Sequence, residues 1–473
     1  MASDKFRQQL RHELEIWRSE GIIQDNQYEQ LAQRYQLGTL DTASRNQFVT
    51  ILIGLGSVLI GLGIITFVAA NWQELSRNIR VALLLSLFIS VNISGFYLWR
   101  KPNDASKRFG HGLLLLGALI LGANMGLKGQ MFHISSPFYE LLLAWGIGVI
   151  AMAYSLQITS LGILSILLIL SGYLGFAVID LYPVLQLERE LSWSSLLGQH
   201  LPIIAGIIFI PLAYWCRSQW IFALSAIAIF LPLIGNITYY NVGVFNLTPL
   251  QAEGWICAIA FALPPALLWS YDDSLWVYSS LFGRRGIAPQ SFVEIARNLA
   301  LVYLAIVLYI CSFYGLWNNW SSSTVNPSNK LNWFPLIDVF VLAVIAIWQW
   351  LYIVRQRRSR SWNLTTIVIA ALCAIATLMP LWHTYITPIP LAATFIFNAL
   401  LFLLATGLMR EGLAQGERRA FWGGMLLITL RIATWVLISV TGLIFKSLIF
   451  ILCGVAIIAL GLWFERYVKT LRT

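Results

Sequence analysis

Charge is what this sequence has least of: Asp, Glu, Lys and Arg supply 11% of its 473 residues, while 58% are hydrophobic. A soluble domain carries roughly 25% charged residues to cover its surface, so a soluble globular protein is excluded. Cysteine is sparse as well. Cys216, Cys257, Cys311, Cys373 and Cys453 lie inside or at the ends of apolar runs with no CxxC pair, which argues against a disulfide framework or a structural zinc. The histidines His12, His111, His133, His200 and His383 are scattered, so no metal cluster is expected. His12-Glu13 lacks the second histidine of a zincin, and neither a GxSxG elbow nor a phosphate-binding loop is present. Met1 to Phe48 is polar and lacks the immediate apolar core of a cleavable signal. The first membrane helix is therefore expected to direct insertion. A net charge of +10 is what basic loops of a polytopic protein produce. Without a compact basic domain, no nucleic-acid partner is expected.

What the chain does have is apolar runs long enough to cross a hydrocarbon core of about 30 Å, which takes about 20 helical residues. They fall near 49–70, 79–99, 110–127, 138–156, 159–179, 201–216, 219–238, 253–271, 295–317, 334–354, 363–381, 388–409, 421–441 and 446–464. The predicted fold is all-α, a polytopic transmembrane bundle of about 14 spans behind a small cytoplasmic helical hairpin. The expected organisation is the hairpin at 1–47, an N-terminal membrane domain at 48–180 and the remaining helices at 181–473. With the N-terminus inside, 24 of the 31 Lys and Arg face the cytoplasm, six face outward and Arg431 lies within a span. The acidic residues divide 14 to 7 on the same model. Positive-inside sorting then puts both termini in the cytoplasm.

The hairpin is read from Phe6, Leu10, Leu14 and Trp17 at helical spacing, with Gly21 as a stop. Asp25 is expected to cap a second helix carrying Tyr28, Leu31 and Tyr35. It is either a docking module for a cytoplasmic partner or an amphipathic pair lying on the bilayer or the inner loops.

Ionisable side chains inside a span are costly, and they usually face protein or water. Arg431 sits about 15 Å into its span and should have a partner. Glu140, Glu253 and Asp338 are candidate carboxylates, each in the first turn of a helix coming from outside. An acid there also complements the helix N-terminus unaided. In the third span Gly117, Gly122, Gly126 and Gly129 accompany the polar Asn124, Lys128, Gln130 and His133. Interrupted helices of this kind form substrate sites in transporters, while small residues four apart equally signal close helix packing. Gly54, Gly56, Gly61 and Gly63 read as a packing stripe, and Asp272-Asp273 as a solvated inner loop beside Arg284 and Arg285. Trp72, Trp99, Trp215, Trp317 and Trp333, near span ends, read as interfacial anchors.

Several phrases together resemble a known family. They are Leu14, Trp17, Gly21, Ile22, Ile23 and Tyr35, then Phe67-Val68-Ala69-Ala70-Asn71-Trp72, Gly122-Ala123-Asn124, Gly129-Gln130-Met131-Phe132-His133 and Leu143-Ala144-Trp145-Gly146. In this order they are similar to the bacterial membrane proteins defined by domain of unknown function 2157. The last two helices look similar too, with Arg431, Lys446, Phe450, Gly454, Gly461 and Glu465-Arg466. After the histidine the chain departs from the expected acidic or polar stretch, having Ser135-Ser136-Pro137. The resemblance implies a bacterial inner-membrane protein and lends no activity. The residues themselves suggest a transporter-like protein for a small or lipidic solute, with Asn124, Lys128, Gln130, His133, Glu140 and Arg431 as the polar intramembrane site and Glu253 and Asp338 as charge partners. The other reading is a scaffold or sensor whose hairpin meets a cytoplasmic partner. No catalytic residue, metal or cofactor is assigned, and the expected partners are the bilayer and a small-molecule or lipid ligand.

Overall fold

A computed structural model describes residues 4–34, 76–131, 136–178, 192–240, 249–275, 291–319, 334–356, 364–438 and 442–472, with scattered positions between 52 and 66. These residues form α-helices and no strand. Eleven helices among them are long and apolar enough to cross a membrane, or twelve if one bent pair is a single span. The chain is a multi-pass membrane protein. Its helices fall into two compact units, Met1–Gly172 and Tyr173–Thr473.

The first unit opens with α1 (Asp4–Ser19) and α2 (Asp25–Arg34). α1 stops where Gly21 takes a φ of +72°, and the Ile22 N–H donates to Trp17 O at 2.8 Å, the hydrogen-bond pattern of a glycine-terminated helix. Leu14 is enclosed by Leu10, Ile23, Tyr28 and Leu31, so the two amphipathic faces cover each other. The expected cap at Asp25 is corrected: the Gln24 carbonyl starts α2, and its N–H donates to Gln27 Oε1 at 3.0 Å. Asp25 instead pairs with Arg18 at 2.6 Å, where a negative charge also suits the helix N-terminus.

Four apolar helices follow in this unit: α3 (Arg77–Trp99), α4 (Asp104–Met131), α5 (Phe138–Leu156) and α6 (Thr159–Phe176), whose end crosses into the second unit. The predicted span at 49–70 lies largely outside the described residues. Small residues set the spacing within the unit. A Cβ at Gly110 would lie 2.4 Å from Trp99 N, and one at Gly146 or Gly172 would press on Ile169 or Leu143 at 2.8 or 2.7 Å. Lipid tails are as apolar as the helices, so close backbone approach drives association in a membrane.

The second unit holds α7 (Trp193–Gln199), α8 (Leu201–Cys216), α9 (Gln219–Tyr240), α10 (Pro249–Trp269), α11 (Val293–Cys311) and α12 (Tyr314–Asn319). After these come α13 (Phe334–Gln356), α14 (Leu364–Tyr385), α15 (Pro390–Gln415), α16 (Arg418–Ile438) and α17 (Leu443–Arg472). The predicted span at 201–216 is α8, which meets α7 at a bend of 76°. The predicted span at 295–317 is corrected: its helix ends at Cys311. α17 is anchored by Phe464, stacked on Phe421 at 4.0 Å, and leaves residues such as Leu443 and Ile444 more than 80% exposed, as a lipid-facing helix should.

Candidate functional site

The break between α7 and α8 follows from the sequence His200-Leu201-Pro202. Proline is favoured in a helix's first turn, where its missing N–H costs nothing, and Pro202 occupies that place in α8. The bend leaves the Gly198 and Gln199 carbonyls without helical partners. Asn236 Nδ2 of α9 donates to both, at 3.0 and 2.8 Å, and its Oδ1 accepts from Tyr173 Oη at 3.1 Å. The break is therefore braced by buried hydrogen bonds.

At this corner His200 Nδ1 lies 2.8 Å from Asp338 Oδ1 of α13. Asp338 is 1% exposed, and its carboxylate also meets the Ile203 amide in the first turn of α8, where the helix dipole favours a negative charge. Among the described residues its Oδ2 has no hydrogen-bond partner. A buried polar oxygen left so costs about 1–3 kcal/mol.

Below the corner an apolar cleft of about 210 Å³ runs between α8, α9, α10 and α13. Ile203, Ile207 and Ile210 line it from α8, and Leu342 and Ile345 from α13. Its few polar groups are already engaged: Ser225 Oγ donates to Phe222 O at 2.7 Å, and Gln349 Oε1 accepts from Ser270 Oγ at 2.8 Å. The surface offered to an occupant is thus hydrocarbon.

Tyr271 also lines the cleft, and its hydroxyl is 2.7 Å from that of Tyr214. Tyr214 also donates to Asp273. Asp273 further accepts from Ser291 Oγ at 2.7 Å and the Phe292 N–H at 3.0 Å, holding the start of α11. The solvated-loop expectation for Asp272-Asp273 thus holds poorly for Asp273. Asp272 does bond within its own turn, to Ser274.

Arg431 is 7% exposed, and its described partners are neutral. Its Nη2 donates to Ser312 O at 2.9 Å and its Nε to Asn398 Oδ1 at 2.8 Å. The guanidinium lies 4.7 Å over the Phe313 ring. Ser312 closes α11, so the cation sits at a helix C-terminus, where the carbonyl dipoles stand in for a carboxylate. Asn398 Nδ2 donates to the same Ser312 carbonyl at 3.0 Å. Trp317, expected at an interface, is instead fully buried. It donates to Cys311 O at 2.7 Å and stacks on Phe397.

In the first unit Asn124 Nδ2 donates to Ile120 O at 3.0 Å and Leu84 O at 3.3 Å. A Cβ at Gly117 would meet the Asn92 amide at 2.5 Å, and one at Gly122 the Trp145 indole at 2.3 Å. Trp145 Nε1 donates to Ala118 O at 2.8 Å. Gly117 and Gly122 thus serve helix contact. Hairpin, paired helices and the Gly122–Trp145 contact stand in the order of the phrases noted in the sequence. Residues 15–162 match the family model described as "Predicted membrane protein (DUF2157)". Comparison with curated proteins and with solved structures returns no match.

The DUF2157 segment ends before α7, so the broken helix and the cleft lie outside it. Of the predicted site residues, Asn124, Lys128, Gln130, His133 and Glu140 are in the DUF2157 segment, Glu140 half-buried in the first turn of α5. Lys128 and Gln130 belong to α4 with side chains outside the described set, and His133 lies outside the described residues. Glu253 is half-buried in α10, and Asp338 meets His200. Among the described residues no three His, Cys, Asp or Glu cluster as metal ligands would. Sequence reasoning passed over His200, one of five scattered histidines. The one signal for it was the proline two residues on, which marks a helix start. Nothing local announces Tyr214, Tyr271 or Asn236.

Proposed function

We propose that this chain is a transporter-like membrane protein for a lipidic solute, with the cleft of the second unit as the solute's path. One observation carries the reading: a helix broken at His200 meets a buried ionisable residue, Asp338, on the same helix as Leu342 and Ile345, which line an apolar cleft. Discontinuous helices and intramembrane charges mark binding sites in membrane transporters. The sorting of Lys and Arg supports a bacterial inner-membrane protein with both termini cytoplasmic. In that orientation the His200 corner is nearer the outer face and Tyr271 nearer the inner one.

In liposomes carrying a fluorescent single-chain phospholipid in both leaflets, dithionite should bleach the inner-leaflet pool faster with the protein than without it. Gly206→Trp, which fills the cleft where a Cβ would meet only Ile229 at 3.7 Å, should slow this at least tenfold. Bleaching equal to that of protein-free liposomes would sink the proposal. Separately, a cysteine at Glu20 in a cysteine-free background should take impermeant maleimide only after cell lysis. Labelling of intact cells would reverse the orientation.

The scaffold or sensor alternative draws on the hairpin, which leaves Trp17 and Ile22 exposed. It has less support, because the hairpin's apolar faces are largely used on each other.

A further inference from the structure

The turn between α3 and α4 carries concentrated positive charge: Arg100, Lys101, Lys107 and Arg108 stand there against a single acid, Asp104. The apolar span of α3 ends at Trp99 and that of α4 begins at Ala105, so these cations lie where lipid headgroups meet the hydrocarbon. Among the described side chains none forms an ion pair with Arg100, Lys101 or Lys107. Arg100 instead lies 5.4 Å over the Phe96 ring, and Lys101 4.7 Å over the Tyr97 ring. Both rings are exposed, as is Phe109, and on a membrane helix an exposed apolar face meets lipid.

Independently of what the cleft carries, we propose that this turn binds one anionic phospholipid, with its phosphate at Arg100, Lys101 and Lys107 and an acyl chain along Phe96 and Tyr97. Gly110 admits the Trp99 backbone, which a Cβ would meet at 2.4 Å, and Lys107 is one helical turn from Gly110, beside the end of α3. The Lys107 N–H donates to Asn103 O at 2.9 Å, and the Ala105 N–H to Asn103 Oδ1 at 3.1 Å. A turn held in this way loses little freedom when a ligand arrives. The N-terminus of α4 adds partial positive charge, and Lys and Arg gathered at a helix end recognise anionic lipid heads. A zwitterionic head brings an ammonium of its own, which these cations repel. A soluble phosphate or an acidic peptide would leave the exposed rings uncovered.

The test titrates the full chain in neutral detergent with phosphatidylglycerol or phosphatidylcholine of matched chains and counts bound lipid by native mass spectrometry. One phosphatidylglycerol should stay bound where phosphatidylcholine is lost, and the preference should fade as salt is raised. Lys101→Gln and Lys107→Gln should each weaken it about fivefold without changing the melting temperature, while Arg419→Gln, at a different turn, should leave it unchanged. On the unaltered chain a photoactivatable phosphatidylglycerol should label the peptide 96–109, and this arm decides alone should the variants not fold. Equal retention of the two lipids, labelling confined to other peptides, or an equal loss in Arg419→Gln overturns the proposal. Displacement of the bound lipid by inorganic phosphate at equal concentration would make the site one for a free anion and overturns the lipid as its occupant.

Discussion

Arg431→Leu should leave little folded protein, and whatever is recovered should melt at a clearly lower temperature in detergent, read by fluorescence-detected size exclusion. The leucine is shorter and gives nothing to the Ser312 carbonyl or Asn398 Oδ1, to which Arg431 donates at 2.9 and 2.8 Å. Asn398 Nδ2 still donates to the Ser312 carbonyl, so Asn398 Oδ1 is the acceptor left unmet, at a cost of about 1–3 kcal/mol. Arg431→Lys should recover part of it, since an ammonium keeps the charge at the end of α11 without the planar two-point grip. Introducing arginine at Asp338 should not rescue Arg431→Glu, because Asp338 pairs with His200. A leucine variant with an unchanged melting point would show that the end of α11 does not depend on this cation.

Gly110→Leu should separate α3 from α4. Its Cβ alone would stand 2.4 Å from Trp99 N and 2.7 Å from Trp99 Cα. These are backbone atoms, so no rotamer change relieves the clash, and the helices must move apart along their length. Overpacking usually costs about 1–3 kcal/mol, and here the upper end or beyond is expected, with the other close contacts of the pair lost as well. Gly126→Ala is the matched control: its Cβ would touch only Leu141 Cδ2 at 3.6 Å. If both variants melt alike, glycine in α4 serves some purpose other than helix approach.

These two sites also show how far the sequence could be read. Gly117 and Gly122 left a choice between packing and a binding site, since a glycine in an apolar run looks the same in both. Contact with Asn92 and Trp145 gives packing its physical content. Arg431 was recognisable as an anomaly that needed a partner, but the search was confined to carboxylates. The sequence does not announce that α11 stops at Cys311 and turns its last carbonyls toward α16, so a partner made of backbone was invisible.

The sequence by itself determined the class of protein, the placement of most spans among the described residues, the polar hairpin and its stop at Gly21. Those follow from hydropathy over about 20 residues and from local backbone chemistry, and neither depends on distant contacts. Only the tertiary structure decided which polar groups meet. His200 finds Asp338 across 138 residues and Arg431 finds Ser312 across 119. Such pairings depend on which helices pack together and on where a helix breaks to expose its amides or carbonyls. Both are settled by the burial of whole helix faces, which no short stretch of sequence contains.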